Sequence, residues 1–384
     1  MPLHRTALGR SIGRRIGRTH ALVFAVALAL RAWLWSRTGS LVVRDAHRYI
    51  EWCGQLSAST LFGSRALVYS GYWLPYCGWL RATGEFVDGW VALQVVLSAL
   101  ACVLVCETAR LLVDARAGLV AGLLLAVQWE VYKWVVRPQS EFMLAFAVAL
   151  ALWRLTAYHL SATRRNRVLA LAALGFVALV RPNGLVIVLG YLAYDFLPAS
   201  SGRRLNLFFP APVNVALAGA LGSFALYRLS FGLYHGNTVL SPWKEGVVIT
   251  PERFVYDYTP APADGVVEFL VRNAEHVVAI AGLRGLWFFA PVLPGWSVAH
   301  AVKTGVTLTP LTVLGLLGVY RAARTDRELL VLWGTPLAMV VLTAMAVWVA
   351  GWRNFLGPAA VVYALFAGYF VSAAGRSRRV PLPD

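Results

Sequence analysis

Long apolar runs are the feature that most constrains the fold of this chain. A transmembrane helix needs roughly 20 consecutive apolar residues. Runs of that kind occur at 21–38, 89–112, 118–136, 141–160, 207–230, 301–320, 329–350 and 355–374. Of the 384 residues, 59% are hydrophobic and only 14% are charged, which is outside the range of ordinary soluble domains. The sequence therefore predicts an all-α polytopic membrane protein whose helices pack against one another in lipid.

The stretch 168–198 is interpreted as a helical hairpin because VRPNG, residues 180–184, interrupts it. Arginine clusters precede it at 164–167 and follow it at 203–204. Such clusters favour the cytoplasmic side, so both ends are predicted to lie inside. Each arm of about 15 residues would be roughly 22 Å long, short of the ~30 Å hydrocarbon core. The tip with Arg181 is therefore expected below the outer surface, facing protein or a wet cavity.

The distribution of charge predicts about ten spans with both termini on the cytoplasmic side. The net charge of +17 is spread over short basic clusters between the apolar runs, whereas most acidic residues fall on outer segments. This pattern is typical of topology signals facing anionic lipid and gives no indication of nucleic-acid binding. No small-residue cleavage site follows the first apolar run, which is interpreted as a retained transmembrane helix.

The predicted organisation has three parts. Residues 1–230 form a transmembrane module that includes a first outer loop, 39–88. Residues 231–300 form a second long outer loop, which contains a helical run at 265–281. Residues 301–384 form the C-terminal transmembrane helices.

The four cysteines predict no metal site, because the chain contains neither a CxxC pair nor an HExxH motif. No cofactor is predicted. Cys53 and Cys77 both fall on the outer side, where a disulfide is compatible with the sequence, although spacing alone does not establish the geometry. Cys102 and Cys106 fall inside an apolar helix and are interpreted as packing residues.

The first outer loop begins with an amphipathic pattern. Tyr49, Trp52 and Leu56 follow Asp45 at i+4, i+7 and i+11, which places them on one helical face. The pattern predicts a helix lying flat on the outer leaflet. Asp45 stands at its start, where aspartate is a preferred N-cap. A cap and a catalytic carboxylate are both consistent with this position, and the two roles are compatible.

A second polar pattern lies in the short outer segment after the third predicted span. Arg137 and Glu141 bracket this segment in the sequence RPQSE. They are candidates for substrate binding. The alternative is an ordinary helix start, in which Gln139 and Ser140 cap the helix and Glu141 complements its dipole.

Arg181 and Arg353 form a third feature, each at the predicted outer end of a helix. Arginine suits phosphate because its planar guanidinium stays charged and binds two oxygens at once. Arg353 could instead extend to lipid headgroups. The predicted depth of Arg181 favours a functional cavity.

Several segments together resemble the GT-C glycosyltransferases, polytopic enzymes that take sugars from polyprenyl-phosphate donors. The resemblance is strongest to the branch of protein mannosyltransferases and lipid A sugar transferases. It covers nearly the whole chain in order: DAHRY (45–49), YWLPYCGWL (72–80), RPQSEFMLAF (137–146), LVRPNG (179–184) and WRNFLGP (352–358).

The resemblance implies a role for each candidate residue. Asp45 would be the general base in an inverting attack on the anomeric carbon of the sugar. The residues implied in substrate binding are Tyr49, His47, Arg137, Glu141, Arg181 and Arg353. The partners would be a polyprenyl-phosphate sugar donor and a lipid, glycan or protein acceptor. The enzyme would lie in a bacterial cytoplasmic membrane with its active site facing outward.

The sequence departs from the family pattern in two respects, which leave the acceptor and any metal dependence open. Many relatives carry paired acids in the first loop, but Asp45 is followed by Ala46. The large C-terminal soluble domain of oligosaccharyltransferases is also not expected.

A lipid or solute transporter is the main alternative. It would favour ionisable residues near the midplane or broken helices repeated in two halves. The sequence shows one interrupted hairpin and no second copy. A polymerase-like transferase and a non-catalytic membrane partner are further alternatives.

Overall fold

The computed structural model describes residues 5–43, 45–63, 65–84, 86–196, 241–249, 254–263, 266–346 and 356–377. The predicted span 207–230 and Arg353 lie outside these ranges. A short 3₁₀ turn, Arg65–Tyr69, precedes the fourth of the described α-helices. In chain order the α-helices are α1 (Arg5–Thr38), α2 (Asp45–Gly54), α3 (Ala58–Gly63), α4 (Ser70–Thr83), α5 (Val87–Leu112), α6 (Ala115–Ala126), α7 (Trp129–Tyr132), α8 (Ser140–Leu160), α9 (Arg164–Val180), α10 (Pro182–Phe196), α11 (Ser241–Lys244), α12 (Val266–Arg272), α13 (Ala274–Phe289), α14 (Val298–Thr325), α15 (Arg327–Ala346) and α16 (Leu356–Ser377).

Length and composition confirm an all-α polytopic membrane protein. Among the described residues, six helices are long and apolar enough to cross a membrane. They are Gly17–Thr38 within α1, the whole of α5, α8, α14 and α15, and Leu356–Ala374 within α16. Shorter apolar helices, including α6 and part of α10, lie between them.

The hairpin predicted around Arg181 is confirmed. Helix α9 ends at Val180, Arg181 is extended with φ −159° and ψ 156°, and α10 begins at Pro182. The two arms pack closely at Gly184, where an added Cβ would lie 1.8 Å from the carbonyl oxygen of Val177. A glycine is therefore required for the arms to approach this closely.

The single span predicted over 118–136 is wrong. Helix α6 ends at Ala126 after 12 residues, or about 18 Å, which is short of the hydrocarbon thickness. The segment 127–139, here called the outer turn after the predicted outer segment that it enters, contains only the four-residue helix α7. Irregular backbone at membrane depth is tolerated only where protein or a water-filled cavity satisfies its hydrogen bonds.

Arg31 supplies one of those bonds from inside the helix bundle. Its side chain is fully buried in α1. The guanidinium donates to Ser98 Oγ at 2.7 Å and to the carbonyl oxygen of Ala126 at 3.1 Å. It also lies over the Tyr132 ring, 5.6 Å from the centroid. Arg31 therefore joins α1, α5 and α6 at the point where α6 ends.

The aromatic face of α2 is covered by protein instead of facing lipid. Tyr49 is fully buried, and its ring centroid lies 5.1 Å from that of Tyr72 in α4. Tyr72, Trp73 and Tyr76 are themselves buried, so this aromatic stretch packs within the protein. Helix α2 also ends at Gly54, before Leu56.

A disulfide joins Cys53 near the end of α2 to Cys77 in α4, with the two Cα atoms 5.3 Å apart. The Arg81 guanidinium donates to the carbonyl oxygen of Cys53 at 2.9 Å and reinforces the same contact. Cys102 and Cys106 are free and buried, as predicted for packing residues.

The helical run predicted at 265–281 is two helices, α12 and α13, which meet at Asn273. The Asn273 side chain is buried. It accepts a hydrogen bond from the backbone N–H of Ala261 at 2.7 Å and donates one to the carbonyl oxygen of Ala261 at 3.2 Å. These bonds hold the preceding loop against the helix junction, which explains why a helix former does not occupy this position.

Reducing the disulfide is expected to destabilise the first outer loop. The bond closes a loop with a sequence separation of 24, for which chain entropy gives a contribution of about 3 kcal/mol. Dithiothreitol should therefore lower the thermal midpoint of the wild-type protein but not that of Cys53→Ser. Cys106→Ala is the control and should respond to reductant like wild type. An equal response of Cys53→Ser would contradict the assignment.

Candidate active site

The outer turn fixes the backbone that leads into α2. The backbone N–H of Leu41 donates to the carbonyl oxygen of Val136 at 2.8 Å. The Gln139 side-chain Nε2 donates to the carbonyl oxygen of Val43 at 2.9 Å. Asp45 is the first residue of α2, two positions after Val43. The outer turn therefore sets where α2 begins.

A second contact joins the beginnings of two helices. The Tyr49 hydroxyl in the second turn of α2 is hydrogen-bonded to the hydroxyl of Ser140, the first residue of α8, with 2.9 Å between the oxygens. Burial raises the pKa of Tyr49, so the phenol stays neutral. Helix N-termini carry unpaired N–H groups and a partial positive charge. Two such ends meet at this point.

The capping interpretation of the RPQSE segment is only partly correct. Gln139 occupies the N-cap position of α8, but its side chain makes no capping hydrogen bond. Instead it reaches Val43, and Ser140 reaches Tyr49. These side chains connect α8 to the first outer loop instead of closing their own helix.

Glu141 and Arg181 form a buried ion pair. Arg181 Nη1 lies 2.8 Å from Glu141 Oε1, with the side chains only 8% and 4% exposed. The Arg181 guanidinium also lies over the Tyr69 ring, 5.8 Å from its centroid. The predicted hairpin tip and the predicted outer segment therefore meet directly.

Two buried polar atoms, one in this ion pair and one two residues after Arg181 in the sequence, have no hydrogen-bond partner within the described part of the chain. They are the second carboxylate oxygen of Glu141 and the side-chain nitrogen of Asn183. Buried polar groups are nearly always hydrogen-bonded, so unpaired ones indicate a missing water or ligand. Asn183 had been interpreted from the sequence only as part of a helix break. Its position two residues after Arg181 was the signal that could have identified it.

Further arginines lie on aromatic rings around the pair. The Arg48 guanidinium lies 5.0 Å from the ring centroids of both Trp52 and Tyr69. The Arg137 guanidinium lies 5.1 Å from the Trp134 ring centroid. Gln94 Nε2 donates to the carbonyl oxygen of Arg137 at 2.8 Å and holds that part of the turn. The region is therefore rich in positive charge as well as in aromatic surface.

The structure brings some of the candidate residues predicted from the sequence together and places others apart. Tyr49, Glu141 and Arg181 belong to one connected cluster. Arg137 lies in the outer turn that leads into it, whereas His47 is exposed on α2. Two candidates remain as predictions. The structure describes the backbone but not the side chain of Asp45, and Arg353 is outside the described residues.

The start of α16 lies beside this cluster. An added Cβ at Gly357 would lie 3.1 Å from the Ala145 Cβ and 3.7 Å from the carbonyl oxygen of Glu141. The C-terminal helix thus packs against the first turns of α8. Within the described ranges, no group of three or more His, Cys, Asp or Glu side chains is arranged to hold a metal ion.

Comparison with known protein families gives a match in the middle of the chain, which includes part of the candidate site. Residues 79–227 match the family model described as dolichyl-phosphate-mannose-protein mannosyltransferase. The resemblance to the GT-C glycosyltransferases is confirmed for this part of the chain. The matched range includes Arg137, Glu141 and Arg181 but begins after Asp45 and Tyr49. No curated protein matches the chain.

One solved structure with a similar arrangement is the archaeal oligosaccharyltransferase AglB from Archaeoglobus fulgidus, in complex with an inhibitory peptide and a dolichol-phosphate. The sequence identity is 15% and the TM-score is 0.48. The match covers 95% of this chain and 52% of AglB, so this chain spans about half the length of that protein.

Removing one partner of the Glu141–Arg181 pair is expected to destabilise the protein by about 3–5 kcal/mol, because it leaves a buried charge uncompensated. Glu141→Gln should lower the free energy of unfolding in detergent, and Glu141→Gln combined with Arg181→Gln should recover part of the loss. The exposed pair Glu268–Arg272, with 2.9 Å between its charged atoms, is the control. Its loss should cost less than about 1 kcal/mol. Equal losses at the two pairs would contradict the buried-pair assignment.

Proposed function

We propose that this chain is a membrane glycosyltransferase that moves a sugar from a polyprenyl-phosphate donor to an acceptor. The observation that carries the proposal is the meeting of the N-termini of α2 and α8 beside the buried pair of Glu141 and Arg181. Helix N-termini and arginine are both suited to phosphate. The similarity of residues 79–227 to a family described as using a dolichyl-phosphate sugar supports the same chemistry.

Asp45 is the proposed general base. It accepts the proton of the acceptor nucleophile, which attacks the anomeric carbon on the face opposite the phosphate. A bond forms between acceptor and sugar while the bond between the anomeric carbon and the phosphate oxygen breaks. The phosphate leaves with the bonding electrons on its polyprenyl carrier, and the sugar is transferred with inversion. General-base assistance typically contributes about 10²- to 10⁴-fold in rate.

Positive groups around the cluster stabilise the departing phosphate. Arg181 is the first of these, with Arg137 and Arg353 as further proposed contacts. Preorganised charge of this kind is usually the largest single contribution to catalysis, because it acts where negative charge develops.

Glu141 and Asn183 are proposed to hold the sugar. The open carboxylate oxygen of Glu141 accepts a hydrogen bond, and the Asn183 side-chain nitrogen donates one. A sugar hydroxyl satisfies both kinds of group, since it is donor and acceptor at once. Tyr49 and His47 are proposed to line the approach to Asp45.

The proposed orientation places this region on the outer face of a cytoplasmic membrane, with both termini inside. The Cys53–Cys77 disulfide supports an outward-facing first loop, because disulfides persist in oxidising compartments. Mannose and protein are the first sugar and acceptor to test, since the matched family is described by them. Lipid and glycan acceptors follow.

A transporter receives less support from the packing. The interruption after α6 is a second broken helix that the sequence did not reveal, but it is not a copy of the α9–α10 hairpin. One break leads through the outer turn into the long helix α8, and the other is a tight turn at a single residue, Arg181. The buried cation Arg31 bonds to Ser98 and to backbone carbonyls and thereby links helices.

Asp45→Asn should abolish sugar transfer while leaving membrane insertion normal. The amide keeps the size and can still cap α2, but it cannot accept a proton from the acceptor. Transfer from a radiolabelled polyprenyl-phosphate mannose in proteoliposomes is expected to fall at least about 10²-fold. Glu51→Gln, an exposed acid on the same helix, is the control and should retain activity. Wild-type activity in Asp45→Asn would exclude this residue as the base.

Arg181→Lys should impair use of the donor more than use of the acceptor. Lysine keeps the charge but loses the planar guanidinium that binds two oxygens at once. We expect the KM for the polyprenyl-phosphate sugar to rise by about tenfold, corresponding to about 1.4 kcal/mol, with little change in the KM for the acceptor. An equal effect on both constants would remove Arg181 from the donor site.

A further inference from the structure

Glu130 is a buried carboxylate in the outer turn that the proposed chemistry does not use. Its side chain is fully buried, although it follows the end of α6 by only four residues. Lys133 Nζ donates to its Oε2 at 2.6 Å. Thr304, in the second turn of α14, donates from its hydroxyl to Oε1 at 2.8 Å. The carboxylate therefore joins the outer turn to a helix more than 170 residues away in sequence.

His300 adds a further contact to this connection. The Trp129 indole Nε1 donates to His300 Nδ1 at 3.4 Å. An indole nitrogen can only donate, so His300 Nδ1 is the acceptor in this contact. Nε2 of the same ring lies 3.3 Å from Glu130 Oε1. The ring bridges Trp129 and Glu130, two neighbours in the outer turn.

A second pair of bonds lies one turn further along α14. The Thr307 hydroxyl donates to Gln128 Oε1 at 3.0 Å, and Gln128 Nε2 donates to the carbonyl oxygen of Thr307 at 3.3 Å. His300, Thr304 and Thr307 are spaced i, i+4 and i+7, so they lie on one face of α14. These three residues of α14 contact residues 128–130.

The other end of the outer turn reaches the candidate active site. Gln139 holds the carbonyl oxygen of Val43 just before Asp45, and the next two residues are Ser140 and Glu141. A shift of the turn at Glu130 therefore moves the starts of α2 and α8 together. A buried charge is an expensive way to gain stability alone, since an apolar replacement is often neutral or better. The benefit of the buried Glu130 carboxylate is that it fixes the geometry of the outer turn.

We infer that Glu130 is a positioning residue for the transfer site, which holds the outer turn against α14 and thereby fixes Glu141 and the start of α2. This inference rests on the proposed function. It assigns to α14 a direct influence on the site, although α14 supplies none of the proposed catalytic groups.

The test compares Glu130→Gln with wild type in two independent measurements. The amide keeps an oxygen for Thr304 and His300 but places N–H donors towards Lys133. Hydrogen–deuterium exchange in nanodiscs should become faster for backbone amides in 131–141 and remain unchanged in α5. Transfer from the polyprenyl-phosphate mannose should show a kcat about 10- to 100-fold lower with the donor KM within about twofold, since small misplacements reduce rate more than binding.

Two further variants separate positioning from general damage. Glu107→Gln removes another carboxylate paired with a neighbouring arginine, Arg110 at 2.6 Å, but near the C-terminal end of α5. It should leave both measurements at the wild-type level. Adding Lys133→Leu to Glu130→Gln removes the donor that faces the new amide and should restore most of the lost kcat and exchange protection.

Unchanged exchange in 131–141 of Glu130→Gln would overturn the inference, as would a loss of activity that only follows the amount of folded protein. Failure of the proposed function would look different. Wild-type protein would then transfer no sugar, while the exchange comparison would still show whether Glu130 holds the outer turn.

Discussion

The requirement that backbone hydrogen bonds at membrane depth be satisfied inside the protein governs this structure. Helix α6 is too short to cross the hydrocarbon core, and the outer turn that follows it is held by bonds from several helices. Arg31 bonds to the carbonyl oxygen of Ala126 just before the turn, Gln94 bonds to that of Val135 within it, and Glu130 connects it to α14. Lipid offers no substitute for these partners. These bonds fix the irregular segment to the surrounding helices.

These bonds determine which groups meet at this end of the helix bundle. The outer turn places the start of α8 next to the start of α2, and the Tyr49–Ser140 hydrogen bond connects the two helices. The disulfide and the aromatic rings of α4 hold α2 from the other side. The result is a region where two helix N-termini, several arginines and one buried ion pair share a small volume. Such a region favours anions.

Local sequence predicted the features that depend on length, charge and helix breakers. The hairpin at Arg181 is one, because proline and the flanking arginine clusters mark it directly. The end of α6 was not predicted, since 118–136 contains no proline and few polar side chains, and the break is held by Arg31 and α14, which are distant in sequence. Gln139 was interpreted as a cap for the same reason. Its partner, Val43, is 96 residues away. The buried aromatic residues of α4 have the composition of an interface segment, and only packing distinguishes the two.

The ion pair between Glu141 and Arg181 has a further consequence under the proposed function. A buried guanidinium without a counter-charge is costly, so Glu141 makes Arg181 tolerable when no donor is bound. The same carboxylate weakens the attraction of Arg181 for a phosphate, since part of the positive charge is already neutralised. Strong binding of the polyprenyl-phosphate product would slow its release. An arginine held by a carboxylate can therefore stabilise the charge that develops during transfer without retaining the product afterwards.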